Sequence, residues 1–195
     1  MNLAVLDREA LEAIVLAPPD RELEPLRCSE AMAEAVLPKG NDARTTRLRH
    51  VLAAAHELLV RIASTALTGR SLLDRPEVMR DYLRIVFAGA EREAFVVAFL
   101  DAHLRVIAAE QMFAGTLTQT SVFPREIVRA ALRHNAHAVV LSHVHPSGLA
   151  EPSRADEHLT QSIKAALALV DVRVIDHVVV GTGGATTSFA ERGLL

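Results

Sequence analysis

Tryptophan is absent from this chain of 195 residues, and cysteine occurs once, at Cys28. A single cysteine excludes an intramolecular disulfide and leaves no thiolate set for a metal. Aromatic residues make up only 4% of the sequence, yet half of all residues are hydrophobic, so a core must be packed from alanine, leucine and valine. There is no excess of positive charge: 21 Lys and Arg stand against 24 Asp and Glu, a formal net charge of −3. That balance argues against an obligatory electrostatic grip on DNA, although it leaves room for a local basic patch. No apolar run approaches the length of a membrane span. Met1 to Asp7 lacks both the basic start and the long apolar stretch of a signal peptide. A soluble cytoplasmic protein is expected, of one domain or of one domain plus a small companion.

What the sequence does contain is one dense motif between His143 and Asp156, which reads H-x-H-x7-S-x2-D. An apolar run of strand length, His137 to Ser142, precedes it. Side chains two apart in a strand point the same way, so His143 and His145 can offer ring nitrogens to one ion. Pro146, Gly148 and Pro152 then impose an irregular loop. Ser153 restarts order as the N-cap of a helix, and Asp156 falls in the first turn of that helix. Two histidines and one aspartate, with water in the fourth position, form an open tetrahedral zinc site of the kind used in catalysis. Each residue also has an ordinary reading. A lone histidine at a strand end is usually a hydrogen-bonded surface residue. S-x-x-D before an apolar helix is close to a capping box. Capping accounts for Ser153 and Asp156 but not for the two histidines ahead of them, and the metal reading is preferred.

The remainder of the chain supplies a framework. Residues 1–40 are mostly helical in pattern and acidic, with eight acidic residues against four basic ones. Breakers fall at Pro18-Pro19-Asp20 and Pro38-Lys39-Gly40-Asn41. Between Thr45 and Leu67, Leu48, Val51, Leu52, Ala55, Leu58, Leu59, Ile62 and Ala66 form an apolar helical stripe. Arg44, Arg47, Arg49 and His50 gather at its start, more in keeping with a solvated helix end than with a phosphate site. Thr68 to Ser71 reads as a linker and Pro76 to Val86 as a helix. The continuous apolar run Ala94 to Leu100 predicts a central strand. A turn at Asp101 to His103 leads to a strand over Leu104 to Ala109. Pro124 opens a helix ending near Asn135. After the motif, a helix is expected from Arg154 to about Val170, a strand from Val172 to Val180, a turn at Gly181 to Ala185 and a final strand from Thr186 to Ala190. Alternating strands and helices imply a sheet with helices packed on it.

The motif resembles the JAMM signature of the JAB/MPN metalloprotease superfamily, and the surrounding chain is similar to its bacterial RadC branch, the UPF0758 family. The matching residues are Arg92-Glu93-Ala94-Phe95, Phe113 to Leu117, Pro124-Arg125-Glu126, His145 to Gly148, Asp176-His177 and Ser188 to Gly193, spread over about residues 75 to 195. The resemblance implies an MPN (JAB, cytidine-deaminase-like) α/β/α sandwich over residues 71–195, preceded by a small helical domain over residues 1–70. It implies zinc as cofactor, held by His143, His145 and Asp156. It implies a hydrolase that cleaves peptide or isopeptide amide bonds, with Glu93 as the base that takes a proton from water and returns it to the departing amine. Glu91 is the local alternative and Glu110 a weaker one. The resemblance gives Ser153 to the oxyanion, a role compatible with capping because one hydroxyl can accept and donate. His177 is read as a structural hydrogen-bonding residue rather than a second metal ligand.

Two departures from the family pattern matter. Relatives usually have Asn between the two histidines, where this chain has Val144; its side chain should face away from the metal. RadC-like chains usually carry a helix-hairpin-helix module whose glycine-rich hairpin reaches DNA phosphates. Here Gly40-Asn41-Asp42-Ala43-Arg44 lacks the paired glycines that close backbone approach requires. The first 70 residues read as a degenerate form of that module, and nucleic acid is not the favoured partner. The expected partner is a peptide or protein substrate. The alternatives are a non-enzymatic, metal-retaining MPN scaffold and a DNA-repair-associated protein. Substrate and oligomeric state are left open.

Overall fold

In this computed structural model residues 6–17, 43–72, 75–115 and 122–195 are described. The expected breakers at residues 18–20 and 38–41, Cys28, most of the proposed hairpin and the family residues Thr116 and Leu117 lie outside them. The first described element is α1 (Arg8–Leu16), which begins where the Asp7 carboxylate accepts a hydrogen bond from Ala10 N at 2.8 Å. It packs through Leu11 and Ile14 against Ala54 of the long helix α2 (Ala43–Leu67). At the start of α2, Arg47 donates to the Ala17 carbonyl and His50 is buried. Arg47 thus ties the end of α1 to α2, while His50 Nδ1 lies 2.7 Å from the Thr46 carbonyl of its own helix.

Helix α3 (Pro76–Val86) opens on a proline at its first position, where the missing N–H costs nothing. Five strands follow: β1 (Ala94–Leu100), β2 (Val106–Ala114), β3 (Ala138–His145), β4 (Arg173–Gly181) and β5 (Thr186–Ser188). They form one sheet in the order β2-β1-β3-β4-β5. Only the β3–β4 pair is parallel. The connection between those two must cross over, and helix α5 (Arg154–Ala168) makes the crossing. Helix α4 (Pro124–Arg133), between β2 and β3, again starts on proline.

The period of two in the strands builds both halves of the core. Val96, Ala98 and Leu100 of β1 point into a cluster with Leu67 of α2 and Met79, Tyr82 and Leu83 of α3. Phe95, Val97 and Phe99 point the other way, into a cluster with Ile127 of α4 and Ile163 and Leu167 of α5. β1 is buried on both faces, which is why its sequence is apolar without alternation. Helices therefore cover both faces of a mixed sheet, the α/β arrangement anticipated from the sequence.

Some boundaries differ from expectation. β2 begins at Val106 rather than Leu104 and runs to Ala114. Its early part is displaced because Leu104 takes a left-handed conformation (φ 56°) in the turn. The expected linker is paired to this strand: Gly69 N donates to Val106 O at 2.8 Å, and Val106 N to Arg70 O at 3.0 Å. The last strand stops at Ser188, not Ala190. The Ser188 hydroxyl accepts from Glu191 N at 3.1 Å and so caps a single helical turn, α6 (Phe189–Arg192), which ends on Gly193 at φ 69°. Among the described residues no helix is long and apolar enough to cross a membrane.

Core burial gives a direct test. Ile127 is fully buried, whereas Leu169 is 87% exposed. Ile127→Ala is expected to cost about 2–5 kcal/mol and Leu169→Ala less than about 0.5 kcal/mol, measured by urea denaturation. Equal losses would contradict the packing described.

Candidate metal centre

β3 carries both histidines. The strand runs through His145, three residues past the apolar run that ends at Ser142, so His143 and His145 share one face of the sheet. Val144 between them points to the opposite face, where it is fully buried beside Val96 and Val180. Valine at this position therefore leaves the histidine face untouched.

The loop after His145 turns the chain back over the strand. Gly148 adopts φ 85°, and the His145 carbonyl accepts from Gly148 N at 3.1 Å. Gly181, the β4 partner of His145, lies directly beneath this loop. A Cβ at Gly181 would come within 2.2 Å of the Gly148 carbonyl oxygen. The loop thus rests on bare backbone.

α5 then delivers the carboxylate. Ser153 Oγ accepts from Asp156 N at 3.2 Å, while Asp156 Oδ2 accepts from Ser153 N at 2.7 Å, a reciprocal capping box. The Ser153 hydroxyl also donates to Asp156 Oδ2 at 2.7 Å. The carboxylate so fixed stands 3.1 Å from His143 Nε2 through Oδ1 and 3.5 Å from His145 Nε2 through Oδ2. The two Nε2 atoms are 2.9 Å apart. One ligand atom from each of the three residues falls within 4.8 Å of the others, so the group could hold a metal ion. Tetrahedral ligand atoms at zinc bond lengths lie roughly 3.3–3.5 Å apart; the separations here, 2.9, 3.1 and 3.5 Å, reach that spacing with small outward shifts of the side chains. His145 Nδ1 is 3.0 Å from the Leu149 carbonyl, which can only accept, so the ring carries its proton there and turns Nε2 to the centre.

Electrostatics follow from this packing. Burial opposes ionisation of Asp156, but the hydrogen bonds from His143 and His145 outweigh it, and its carboxyl titrates far below the usual carboxylate range. The hydrogen bond to Asp156 raises His145 above the ordinary histidine value of 6.5 against an opposing desolvation. Burial drives His177 well below the same value, so this ring is neutral.

The other sequence-derived candidates lie at varying distances from this centre. Phe95 pairs with His143 across β1 and β3, and Glu93 stands two residues before Phe95, just outside the start of β1. Its charge contributes to the raised pKa of His145. Among the described residues no donor engages the Glu93 side chain. Glu110 is occupied elsewhere: it sits opposite Val97 and accepts from Arg133 at 2.6 Å while pairing with His134 at 2.6 Å. Ser153 is beside the centre, with its hydroxyl hydrogen turned to Asp156. His177 is fully buried behind His143, with Nε2 2.8 Å from His143 Nδ1.

Sequence reasoning missed Thr160, whose hydroxyl lies 2.6 Å from His177 Nδ1. Its only signal was the spacing of four from Asp156, one helical turn. The family match at Asp176 also gains a structural reason. Its carboxylate accepts from His177 N at 2.7 Å, Ser188 Oγ at 2.7 Å and Ala190 N at 3.0 Å, tying β4 to the start of α6.

Gly181→Ala tests the support of the metal loop. The added methyl meets backbone that cannot step aside, so a loss of about 1–3 kcal/mol is expected, together with weakened binding of divalent metal. Chemical denaturation and metal titration check both; wild-type values in each would refute the close contact.

Comparison with known proteins bears on the whole domain. The family described as RadC-like JAB domain matches residues 73–194. A UPF0758 protein of Leptothrix cholodnii is 56% identical over 147 residues, 75% of this chain and 66% of the relative. UPF0758 proteins of Nitrosospira multiformis and Nitrosomonas eutropha are 56% and 54% identical over 144 residues, each 74% of this chain and 64% of the relative. The chain thus spans a little under two thirds of the length of these curated relatives. With the match extending from α3 to the C-terminal turn, the chain belongs to the RadC (UPF0758) family and carries a RadC-like JAB domain.

Proposed function

We propose that this chain is a zinc-dependent hydrolase of the JAMM type, acting on a peptide or isopeptide amide bond of a protein or peptide substrate. The observation that carries the reading is the convergence of His143 Nε2, His145 Nε2 and the Asp156 carboxylate within 4.8 Å. Both imidazoles and the carboxylate are borderline or hard donors suited to zinc, and three protein ligands leave room for a fourth. Zinc bound there would supply Lewis acidity, making a water molecule more acidic and polarising an amide carbonyl.

The residues of the chain divide the remaining work. Glu93, near enough for its charge to act on His145, takes the proton of the attacking water and hands it to the departing amine. Ser153 donates its hydroxyl to the developing oxyanion once it turns from Asp156. The capping amide bonds, Ser153 N to Oδ2 and Asp156 N to Ser153 Oγ, can persist during that turn and keep the helix start in place.

Metal analysis of protein purified without chelator is expected to give about one zinc per chain. Less than roughly a tenth of an ion would refute the reading. Glu93→Gln should retain the zinc and lose about 10²–10⁴-fold of amide hydrolysis, assayed on a panel of peptide and isopeptide substrates. Equal activity in that variant would remove Glu93 from its role. A zinc-loaded wild type inactive on the whole panel would favour the non-enzymatic scaffold instead.

His145 sets a pH dependence. Its raised pKa means that the pair with Asp156 stabilises the metal-free fold fully below pH 6.5, the ordinary histidine value, and that this contribution fades as pH rises through the raised value. Zinc must displace the same proton, so its affinity should grow over that span. Titration calorimetry in buffers of different ionisation enthalpy should find more protons released at pH 6 than at pH 8.5. Equal release at both would contradict the assignment.

A further inference from the structure

We infer that Thr160 and His177 are positioning residues: a buried chain of hydrogen bonds running from Thr160 through His177 to Nδ1 of His143 keeps the His143 Nε2 lone pair aimed into the centre. The inference rests on the metal reading of His143, His145 and Asp156, and goes beyond it to residues that touch no metal.

The direction of each hydrogen bond follows from what each atom can do. The Asp156 backbone carbonyl only accepts, so its 2.6 Å contact with Thr160 Oγ1 makes the threonine hydroxyl the donor. That hydroxyl has one hydrogen, already used. Its second contact, 2.6 Å to His177 Nδ1, must therefore carry a hydrogen from the imidazole. His177 is fully buried and neither ring nitrogen meets a carboxylate, so it is uncharged and has a single N–H. With that hydrogen on Nδ1, His177 Nε2 is an acceptor. The 2.8 Å contact between His177 Nε2 and His143 Nδ1 then requires His143 to donate. In its neutral form, the one that takes a metal, His143 is left with a bare Nε2, the atom 3.1 Å from Asp156 Oδ1.

The relay begins and ends on the same residue. Its first acceptor is the carbonyl of Asp156, and its last lone pair faces the carboxylate of Asp156. The rings are shielded from competing water. Phe189 stacks on His177 at 4.7 Å, and Phe95 lies parallel to the His143 ring at 6.3 Å. Reversing the relay would cost Thr160 its bond to Asp156 and put a hydrogen on His143 Nε2, where a metal must approach. Partners of this kind typically govern metal affinity by 10–100-fold.

The test separates the relay from simple packing. Thr160→Val keeps the volume and removes the hydroxyl; Thr160→Ser keeps the hydroxyl. Zinc affinity, measured by competition with a chromophoric chelator, is expected to fall about 10–100-fold in Thr160→Val and to return to within a few-fold of wild type in Thr160→Ser. Long-range ¹H–¹⁵N spectra of the metal-free protein should show His143 protonated on Nδ1 in wild type and in Thr160→Ser, and shifted toward Nε2 protonation in Thr160→Val. Thr160→Ala replaces the valine variant if that one does not fold. Wild-type zinc affinity and tautomer in the hydroxyl-free variant would overturn the inference, as would a wild-type His143 protonated on Nε2 alone. A wild type that binds no zinc refutes the metal reading instead, while the tautomer of His143 still decides the relay.

Discussion

A partly buried carboxylate kept ionised by its neighbours is the constraint on which the site depends. Asp156 is removed from bulk water, which disfavours its charge, and two imidazoles and the Ser153 hydroxyl and amide offset that cost. The capping box also fixes where the carboxylate can be, because Asp156 closes the first turn of α5 with the same group it turns to the histidines. Helix start and ligand position are therefore one geometric fact. The partial positive charge at the N-terminus of α5 acts in the same sense, favouring a negative group in its first turn.

The sheet order explains how distant residues meet. β3 lies between β1 and β4, so His143 is paired on both sides, with Phe95 and Val179, whereas His145 is paired with Gly181 of β4. β1 brings Phe95 against His143, and Glu93 stands immediately before that strand. β4 brings His177 behind His143 and Gly181 beneath the loop. The parallel pairing of β3 and β4 forces a helical crossover, and that crossover is α5, the source of Asp156 and Thr160. Ligands separated by 13 residues in the chain, and a supporting ring 34 residues from His143, are local neighbours because of this one connection.

The central strand, the proline-led helices and the motif spacing were readable because each is written in local sequence. Seven apolar residues without alternation signal a strand covered on both faces, and β1 is that. The H-x-H spacing reported a shared strand face, and Ser153 with Asp156 reported a helix start. What was not readable depended on register. His177 meets His143 because β4 pairs with β3 in a particular alignment, which no periodicity encodes. The end of the last strand was misjudged because Ser188 and Gly193 bracket a single turn too short to show a helical pattern. Glu110 resembled a candidate base in composition alone, and only the fold reveals its engagement by Arg133 and His134.

The meeting of Gly148 with Gly181 has a mechanical corollary. Where two stretches of main chain touch with no side chain between them, neither can absorb a displacement by changing rotamer. A shift in the final residues of β4, or in the tight turn from Thr182 to Ala185 that follows, is passed undamped to the segment joining His145 to Ser153. The register of that strand end thus sets the height at which the imidazole of His145 stands over the sheet.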